Sequence, residues 1–165
     1  ETLTSSLLRA ERNDGGRMLL EGEHFSAYVP FAARWPLEVH LVPHRQVPDL
    51  AALNGAERDE LAELYPELLK RFDALYPTPT PYIAAWHQAP LVPALRRDGH
   101  LHLQLTSPRR AADKLKYLAG SEAAMGAFIN DTTPESVAAR LREVASEAPA
   151  GAATRATLTP EGAPA

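Results

Sequence analysis

The sequence predicts an α+β domain in which helices pack on one face of an antiparallel sheet. Short segments with the alternation of β-strands come early, one long amphipathic segment follows, and further strands and helices complete the pattern. Runs of strands and runs of helices that follow one another in this way are typical of the α+β class. At 165 residues, the chain is long enough for one domain with a substantial core.

The first part of the chain contains a short helix and three strands. Leucines near the N-terminus fall on one helical stripe, and the Asn-Asp-Gly-Gly run at 13–16 indicates a turn. Segments in which apolar and polar residues alternate, as in a strand, come next. Prolines between them favour rigid connections. We therefore predict a helix over 1–12 and strands over 17–20, 24–30 and 38–42.

The clearest helix covers residues 56–76. Large apolar side chains recur there at helical spacing, with charged residues between them, and the Pro-Thr-Pro-Thr-Pro run at 77–81 ends the pattern. The apolar stripe consists of Leu61, Leu64, Leu68, Phe72 and Leu75.

The second half of the chain starts with two strands and ends with helices. We predict a buried strand over 82–87, a surface loop over 88–98, and an antiparallel partner strand over 99–107. Residues 111–128 have helical spacing interrupted by glycines, which favours helical pieces around a Gly-Ser turn. Pro134 opens a last helix that extends to about residue 147. The domain therefore covers 1–147, and the Ala-, Pro- and Gly-rich segment 148–165 is predicted to be a disordered tail.

Composition excludes several classes of function. Asp and Glu number 21 against 17 Lys and Arg, so the net charge of −4 disfavours binding to nucleic acid. The chain has no cysteine for disulfides or thiolate metal sites, and it has no apolar run that could span a membrane. We therefore expect a soluble, cytoplasmic protein. Because Glu stands first, we also expect this sequence to be part of a longer protein.

The stretch GHLHLQLTS, residues 99–107, has the strongest alternation in the chain. As a strand, it directs its three leucines to one face and His100, His102 and Gln104 to the other. With His87 on the neighbouring strand, three imidazoles could converge on a divalent metal. Alternatively, one imidazole attacks phosphorus while the other polar groups assist. In the simplest alternative, these residues only form hydrogen bonds on a sheet face that is partly exposed to solvent.

A basic run follows the histidine strand. Arg109, Arg110, Lys114 and Lys116 could clamp an anion, although such runs are most often solvated surface charges. Glu122, a few residues later, could hold sugar hydroxyls or could simply be exposed.

Several stretches together resemble one known family. They are YVPFAARWPLE at 28–38, PYIAAWHQAP at 81–90, HLHLQLTSPRR at 100–110, DKLKYLAGSE at 113–122 and GAFINDTTPE at 126–135. In this order, they resemble the C-terminal half of galactose-1-phosphate uridylyltransferases of the actinobacterial type. That family belongs to the histidine-triad superfamily, so the resemblance implies a histidine-triad-like lobe over residues 1–147.

The resemblance also implies an activity. Enzymes of this family exchange a uridylyl group between UDP-glucose and galactose 1-phosphate by a ping-pong route through a uridylylated histidine. The nucleophile lies in a His-Pro-His-Gly-Gln motif of the N-terminal lobe, where a Cys-x-x-Cys pair helps to hold zinc. Neither motif occurs in this chain. The chain is therefore expected to be the second lobe, to be inactive alone, and to need the N-terminal lobe as its partner.

The family pattern assigns two further sets of residues. His87 and His102 match ligands of a second metal site, but Gln104 replaces the next histidine, so the resemblance implies a weak, degenerate site. Lys116, Tyr117 and Glu122 match positions that contact the phosphate and the sugar of the substrates, often across the interface of a homodimer.

Two rival functions remain open. The chain could be an autonomous histidine-triad-like nucleotide hydrolase or transferase, with His102 as the nucleophile and His100 and Gln104 assisting. It could also be a non-catalytic module for dimerisation or ligand binding.

Overall fold

The fold is built on a five-stranded sheet in which every neighbouring pair of strands is antiparallel. The computed structural model describes residues 1–147, so the tail predicted over 148–165 lies outside the described residues. The spatial order of the strands is β1-β2-β3-β5-β4. Their bounds are Met18–Glu21 for β1, Phe25–Tyr28 for β2, Leu37–Pro43 for β3, Ile83–His87 for β4 and His102–Ser107 for β5.

Helices flank this sheet, and a small hairpin extends from it. The helices are α1 (Leu3–Asp14), α2 (Gly55–Ala74), α3 (Pro93–Arg96), α4 (Gly120–Met125) and α5 (Pro134–Glu147), and the hairpin consists of β6 (Arg109–Ala111) and β7 (Lys114–Leu115). α1 ends at Gly15, whose φ of 74° lies in the left-handed region that favours glycine. The long helix α2 continues through Pro66.

The core lies between one face of the sheet and the two long helices, α2 and α5. Leu101, Leu103 and Leu105 have no exposed surface, which confirms the apolar face predicted for their stretch. They pack in one cluster with Leu68 and Phe72 of α2. Burial of such side chains is the main force that holds helices on a sheet. The opposite face carries a smaller apolar cluster, formed by Leu8 of α1 with Tyr28 and Val42, and beside it polar side chains of β3, β4 and β5.

Two predicted elements differ from the structure. The strand predicted to be buried over 82–87 is the edge strand β4, and Ile83 is 64% exposed because β4 has a neighbour on one side alone. The predicted helical pieces over 111–128 are instead the β6–β7 hairpin followed by the short helix α4. The glycines at 120 and 126 confine α4 to residues 120–125, since Gly126 ends it with a φ of 65°.

No helix within residues 1–147 has both the length and the apolar character that a membrane span requires.

Candidate functional site

The polar face of the sheet brings together side chains from three adjacent strands. In the strand register, His40 of β3 lies opposite Gln104 of β5, and His87 of β4 lies opposite His102 of β5. The rings of His40 and His102 are 6.2 Å apart between centroids, and those of His87 and His102 are 4.8 Å apart. A row of three imidazoles and one amide therefore crosses the centre of this face.

His102 is held in one tautomer. Its Nδ1 lies 2.9 Å from the carbonyl oxygen of His100, and because a carbonyl oxygen can only accept, Nδ1 carries the proton. Nε2 therefore keeps its lone pair, 3.4 Å from the side-chain amide of Gln104. Burial lowers the pKa of His102, which keeps the ring neutral at neutral pH. An oriented, neutral imidazole whose Nε2 is unprotonated, here accepting a long hydrogen bond from the Gln104 amide, is the state that a nucleophile or a metal ligand requires.

His100 does not lie on the polar face that its alternation predicts. It precedes β5 and is 6% exposed, with Nε2 donating to the carbonyl of Pro43 at 2.9 Å. Its Nδ1 lies 3.2 Å from the hydroxyl of Thr2, the residue that caps α1. The side chain of His100 therefore joins α1 to the sheet, and it is the main-chain carbonyl of His100 that orients His102.

The histidine row does not fit a metal ion. The rings of His87 and His102 are stacked with their planes 8° apart. An imidazole binds a metal in the plane of its ring, so one ion cannot lie in both planes. Within the described residues, no three His, Cys, Asp or Glu side chains form a group that could hold a metal. The donor set of this face therefore gives no support to the second metal site at His87 and His102.

A buried carboxylate, which the motif analysis missed, lies beside the row. Glu38 is 3% exposed, and its carboxylate lies 3.2 Å from Nε2 of His40. Burial alone would raise the pKa of Glu38, but hydrogen bonds from His40 and from the main-chain N–H groups of Arg34 and Trp35 together lower it. The signal was present in the sequence, because alternation over 38–42 places Glu38 and His40 on one strand face.

A cavity of about 250 Å³ adjoins this pair. Its polar lining includes Glu38, His40 and Gln104, and its apolar lining includes Leu7 of α1 and Phe31. The cavity is large enough for a small ligand group but is smaller than a typical drug-sized pocket. The polar face is therefore open to small molecules on the side of His40.

Lys116 and Glu122 bind each other. Nζ of Lys116 lies 2.5 Å from the Glu122 carboxylate, and the two side chains are 6% and 2% exposed. Nζ also donates to the carbonyl oxygens of Arg34 and Ile129. The hydrogen bond from Lys116 lowers the pKa of Glu122 to about 2, and the main-chain N–H groups of Ala119 and Ile129 add to this shift. The pair closes the 116–129 segment on itself.

Tyr117 differs from its two neighbours in the predicted substrate set. Its side chain is 86% exposed, while the Lys116 ammonium lies beside the rings of Trp35 and Phe128, 5.9 and 5.7 Å from their centroids. Of the three residues, Tyr117 is therefore the one whose side chain is presented to solvent.

Comparison with known proteins gives consistent matches. Residues 1–151 match the family described as galactose-1-phosphate uridyl transferase, C-terminal domain. The chain is 44% identical over 146 residues to a galactose-1-phosphate uridylyltransferase from Streptomyces lividans, covering 79% of this chain and 39% of that protein. Among solved structures, a uridylyltransferase has a TM-score of 0.80 at 35% identity and covers 89% of this chain and 46% of its own.

A more distant likeness concerns the fold alone. A zinc-bound histidine triad family protein from Mycobacterium smegmatis has a TM-score of 0.56 at 13% identity, covering 89% of this chain and 94% of that chain. The predicted α+β, histidine-triad-like fold is therefore confirmed. The chain spans 39% and 42% of the lengths of two curated relatives that it matches, from Streptomyces lividans and Thermotoga maritima.

Proposed function

Because this chain belongs to the family of galactose-1-phosphate uridyl transferase C-terminal domains, we propose that it is one lobe of an enzyme that moves a uridylyl group between UDP-glucose and galactose 1-phosphate. The observation that carries the proposal is the family match over residues 1–151. In the proposed ping-pong route, a histidine of the N-terminal lobe attacks the α-phosphorus of UDP-glucose and glucose 1-phosphate leaves. Galactose 1-phosphate then takes the uridylyl group from that histidine.

The contribution of this lobe is to support the site and to hold the substrates. We assign the substrate contacts to the segment that contains Lys116, Tyr117 and Glu122. Tyr117 is exposed and can contact a ligand directly, whereas the Lys116–Glu122 pair fixes the conformation of the segment. A direct contact of Lys116 with phosphate requires this pair to open.

Zinc, dimerisation and location complete the proposal. Zinc would be held by cysteine and histidine ligands of the N-terminal lobe, since this chain has no cysteine. A homodimer is supported by the apolar side chains exposed along the 115–129 segment. Cytoplasmic location is proposed from the activity, whose substrates are sugar phosphates and sugar nucleotides, and cell fractionation tests it.

A second candidate function rests on His102. Its neutral ring, its oriented tautomer and its unprotonated Nε2, which accepts a long hydrogen bond from Gln104, suit a nucleophile. In that case, Nε2 of His102 would form the bond to the α-phosphorus, and the bond from phosphorus to glucose 1-phosphate would break. The chain alone would then be a nucleotide hydrolase or transferase.

Intact-mass spectrometry separates the two candidates. The complete chain is incubated with UDP-glucose and its mass is measured, with His102→Ala as the matched variant. The lobe proposal expects no adduct on either protein. An adduct with the mass of one uridylyl group that forms on the parent chain and is absent from His102→Ala would support the second candidate and overturn the first.

A chimera provides the positive arm of the test. The part of the Streptomyces lividans relative that precedes the matched region is fused to this chain and assayed for uridylyl transfer between UDP-glucose and galactose 1-phosphate. Activity in the chimera, with none in either piece alone, is the expected result. A folded chimera with no activity would count against the assignment of this chain as a working lobe.

A further inference from the structure

A second cavity lies at the corner of the fold where α2 ends and α5 begins. Its volume is about 190 Å³, and it lies next to the helices that pack on the apolar face of the sheet. Side chains of Leu37, Leu75 and Val137 line it with apolar surface, and Tyr76 adds its ring. Three arginines, Arg109, Arg110 and Arg140, complete the lining together with Thr132 and Ser136.

Two of these arginines have no carboxylate partner within the part of the chain that the structure describes. Arg110 is paired with Asp131, whereas Arg109 and Arg140 bind main-chain carbonyl oxygens instead. The guanidinium carbons of Arg109 and Arg140 lie 5.7 and 4.7 Å from the centroid of the Tyr76 ring. Two positive charges are therefore held around one aromatic ring in a protein whose net charge is −4.

Arg109 also carries an unsatisfied donor. Its Nε is the one buried nitrogen or oxygen without a hydrogen-bond partner among the side chains that the structure describes. A buried N–H of a charged group that lacks an acceptor is costly, so native proteins rarely keep one without a reason. An anion bound in the cavity would neutralise the charge near Tyr76, and it would give Nε an acceptor when the Arg109 side chain turns toward it.

We propose that this cavity, the arginine corner, binds a phosphate group. Guanidinium groups match the oxygens of phosphate, and the doubly charged tetrahedral group can accept from more than one arginine at once. The hydroxyl groups of Thr132 and Ser136 are further donors in the lining. None of His40, His87 and His102 lines this cavity, nor does any of Lys116, Tyr117 and Glu122, so the proposal does not rest on the proposed uridylyl transfer.

The ligand could be free phosphate or a small phosphomonoester. The apolar lining favours a monoester whose organic part is apolar, because such a group would bury against Leu75 and Val137. Titration with inorganic phosphate and with phenyl phosphate distinguishes the two sources. Tighter binding of phenyl phosphate identifies a monoester site, and equal or weaker binding identifies a site for the free anion.

In the test, the full chain is titrated with inorganic phosphate and with phenyl phosphate at constant ionic strength. Binding is measured by calorimetry and by the ¹⁵N–¹H signals of the arginine Nε groups. We expect saturable binding at one site and a shift of the Arg109 Nε–H signal. Arg109→Gln and Arg140→Gln should each weaken binding about tenfold or more, since each removes charge-assisted hydrogen bonds. Arg97→Gln is the matched control, because the Arg97 side chain is 83% exposed and does not line the cavity.

The variant Arg140→Lys distinguishes a loss of binding caused by the missing positive charge from one caused by reduced stability. It keeps the positive charge, so it should retain more of the phosphate affinity than Arg140→Gln even if both variants lose stability. Binding that does not saturate, or that is equal in Arg97→Gln, Arg109→Gln and Arg140→Gln, would overturn the proposal. Since no sugar nucleotide is used, that result would leave the proposed uridylyl transfer untouched.

Discussion

Leu103 is the residue that best tests the packing of the central strand. Its side chain has no exposed surface, and it lies in the core cluster between the sheet and α2. We expect Leu103→Ala to lower the free energy of unfolding by about 2–5 kcal/mol, from lost burial and from the cavity left behind. Urea denaturation measures this loss, with Thr106→Ala on the polar face of β5 as the control. A loss of a few tenths of a kcal/mol would mean that the core closes around the missing side chain, or that Leu103 lies on the face of β5 away from the core.

Glu122 should make stability depend on pH. Its pKa is lowered to about 2 by Lys116, so the folded protein binds the proton more weakly than the unfolded chain does. The ionised Glu122 carboxylate therefore contributes fully to the free energy of unfolding above pH 4.5, the ordinary pKa. This contribution is lost as the pH falls from 4.5 toward 2. Glu122→Gln should flatten the fall in melting temperature across this acid range. Glu63→Gln, at an exposed position of α2, should keep the slope of the parent.

Sequence reasoning placed Leu103 correctly and His100 wrongly, and it did not predict that Lys116 binds Glu122. Strand alternation is local, so the buried leucines could be predicted from their own stretch. The partners of His100 are Thr2 and Pro43, which lie 98 and 57 residues away along the chain. The Lys116–Glu122 pair depends on the fold of the whole 116–129 segment. Periodicity carries no information on such contacts, so it places His100 on the polar face with His102.

At the scale of elements, the start of α2 depends on one reciprocal cap. The side chain of Asn54 accepts from the N–H of Glu57 at 2.9 Å, and the Glu57 carboxylate accepts from the N–H of Asn54 at 2.8 Å. Two otherwise unpaired N–H groups are satisfied in this way. We expect Asn54→Ala to cost about 0.5–2 kcal/mol of stability, and Asn54→Asp to cost much less because Asp caps equally well. Thermal denaturation of both variants checks this. Equal losses of stability in Asn54→Ala and Asn54→Asp would show that the cap formed by the residue 54 side chain contributes little to stability.

The elements themselves were predictable where one signal dominated. The helical spacing of apolar residues predicted α2, and Pro134 predicted the start of α5. The hydroxyl of Thr133 caps α5 by accepting from the N–H of Ser136. The 109–128 segment was not predictable, because its glycines and short apolar runs suit a hairpin and a helix equally. Strand order was also hidden, and with it the edge position of β4, since order depends on contacts between distant strands.

At the scale of the whole molecule, the exposed apolar side chains of the 115–129 segment predict self-association. Tyr117, Met125 and Ile129 are 86%, 81% and 60% exposed, and Leu115, Leu118 and Phe128 are exposed as well. Large apolar groups clustered within one short segment mark a contact surface more often than isolated ones do. This surface is continuous with the segment proposed to contact substrate, which fits an interface across which two copies complete each other's sites.

Sedimentation equilibrium of the full chain tests this surface. We expect the parent to form dimers at micromolar concentrations and Tyr117→Asp to shift the equilibrium to monomers, because a charge there would be desolvated on association. Leu91→Asp is the matched control, since Leu91 is 89% exposed but lies on the separate loop before α3. A parent that stays monomeric would exclude self-association through the 115–129 segment. If Leu91→Asp dissociates the dimer and Tyr117→Asp does not, the interface lies instead beside β4, where the edge of the sheet is open.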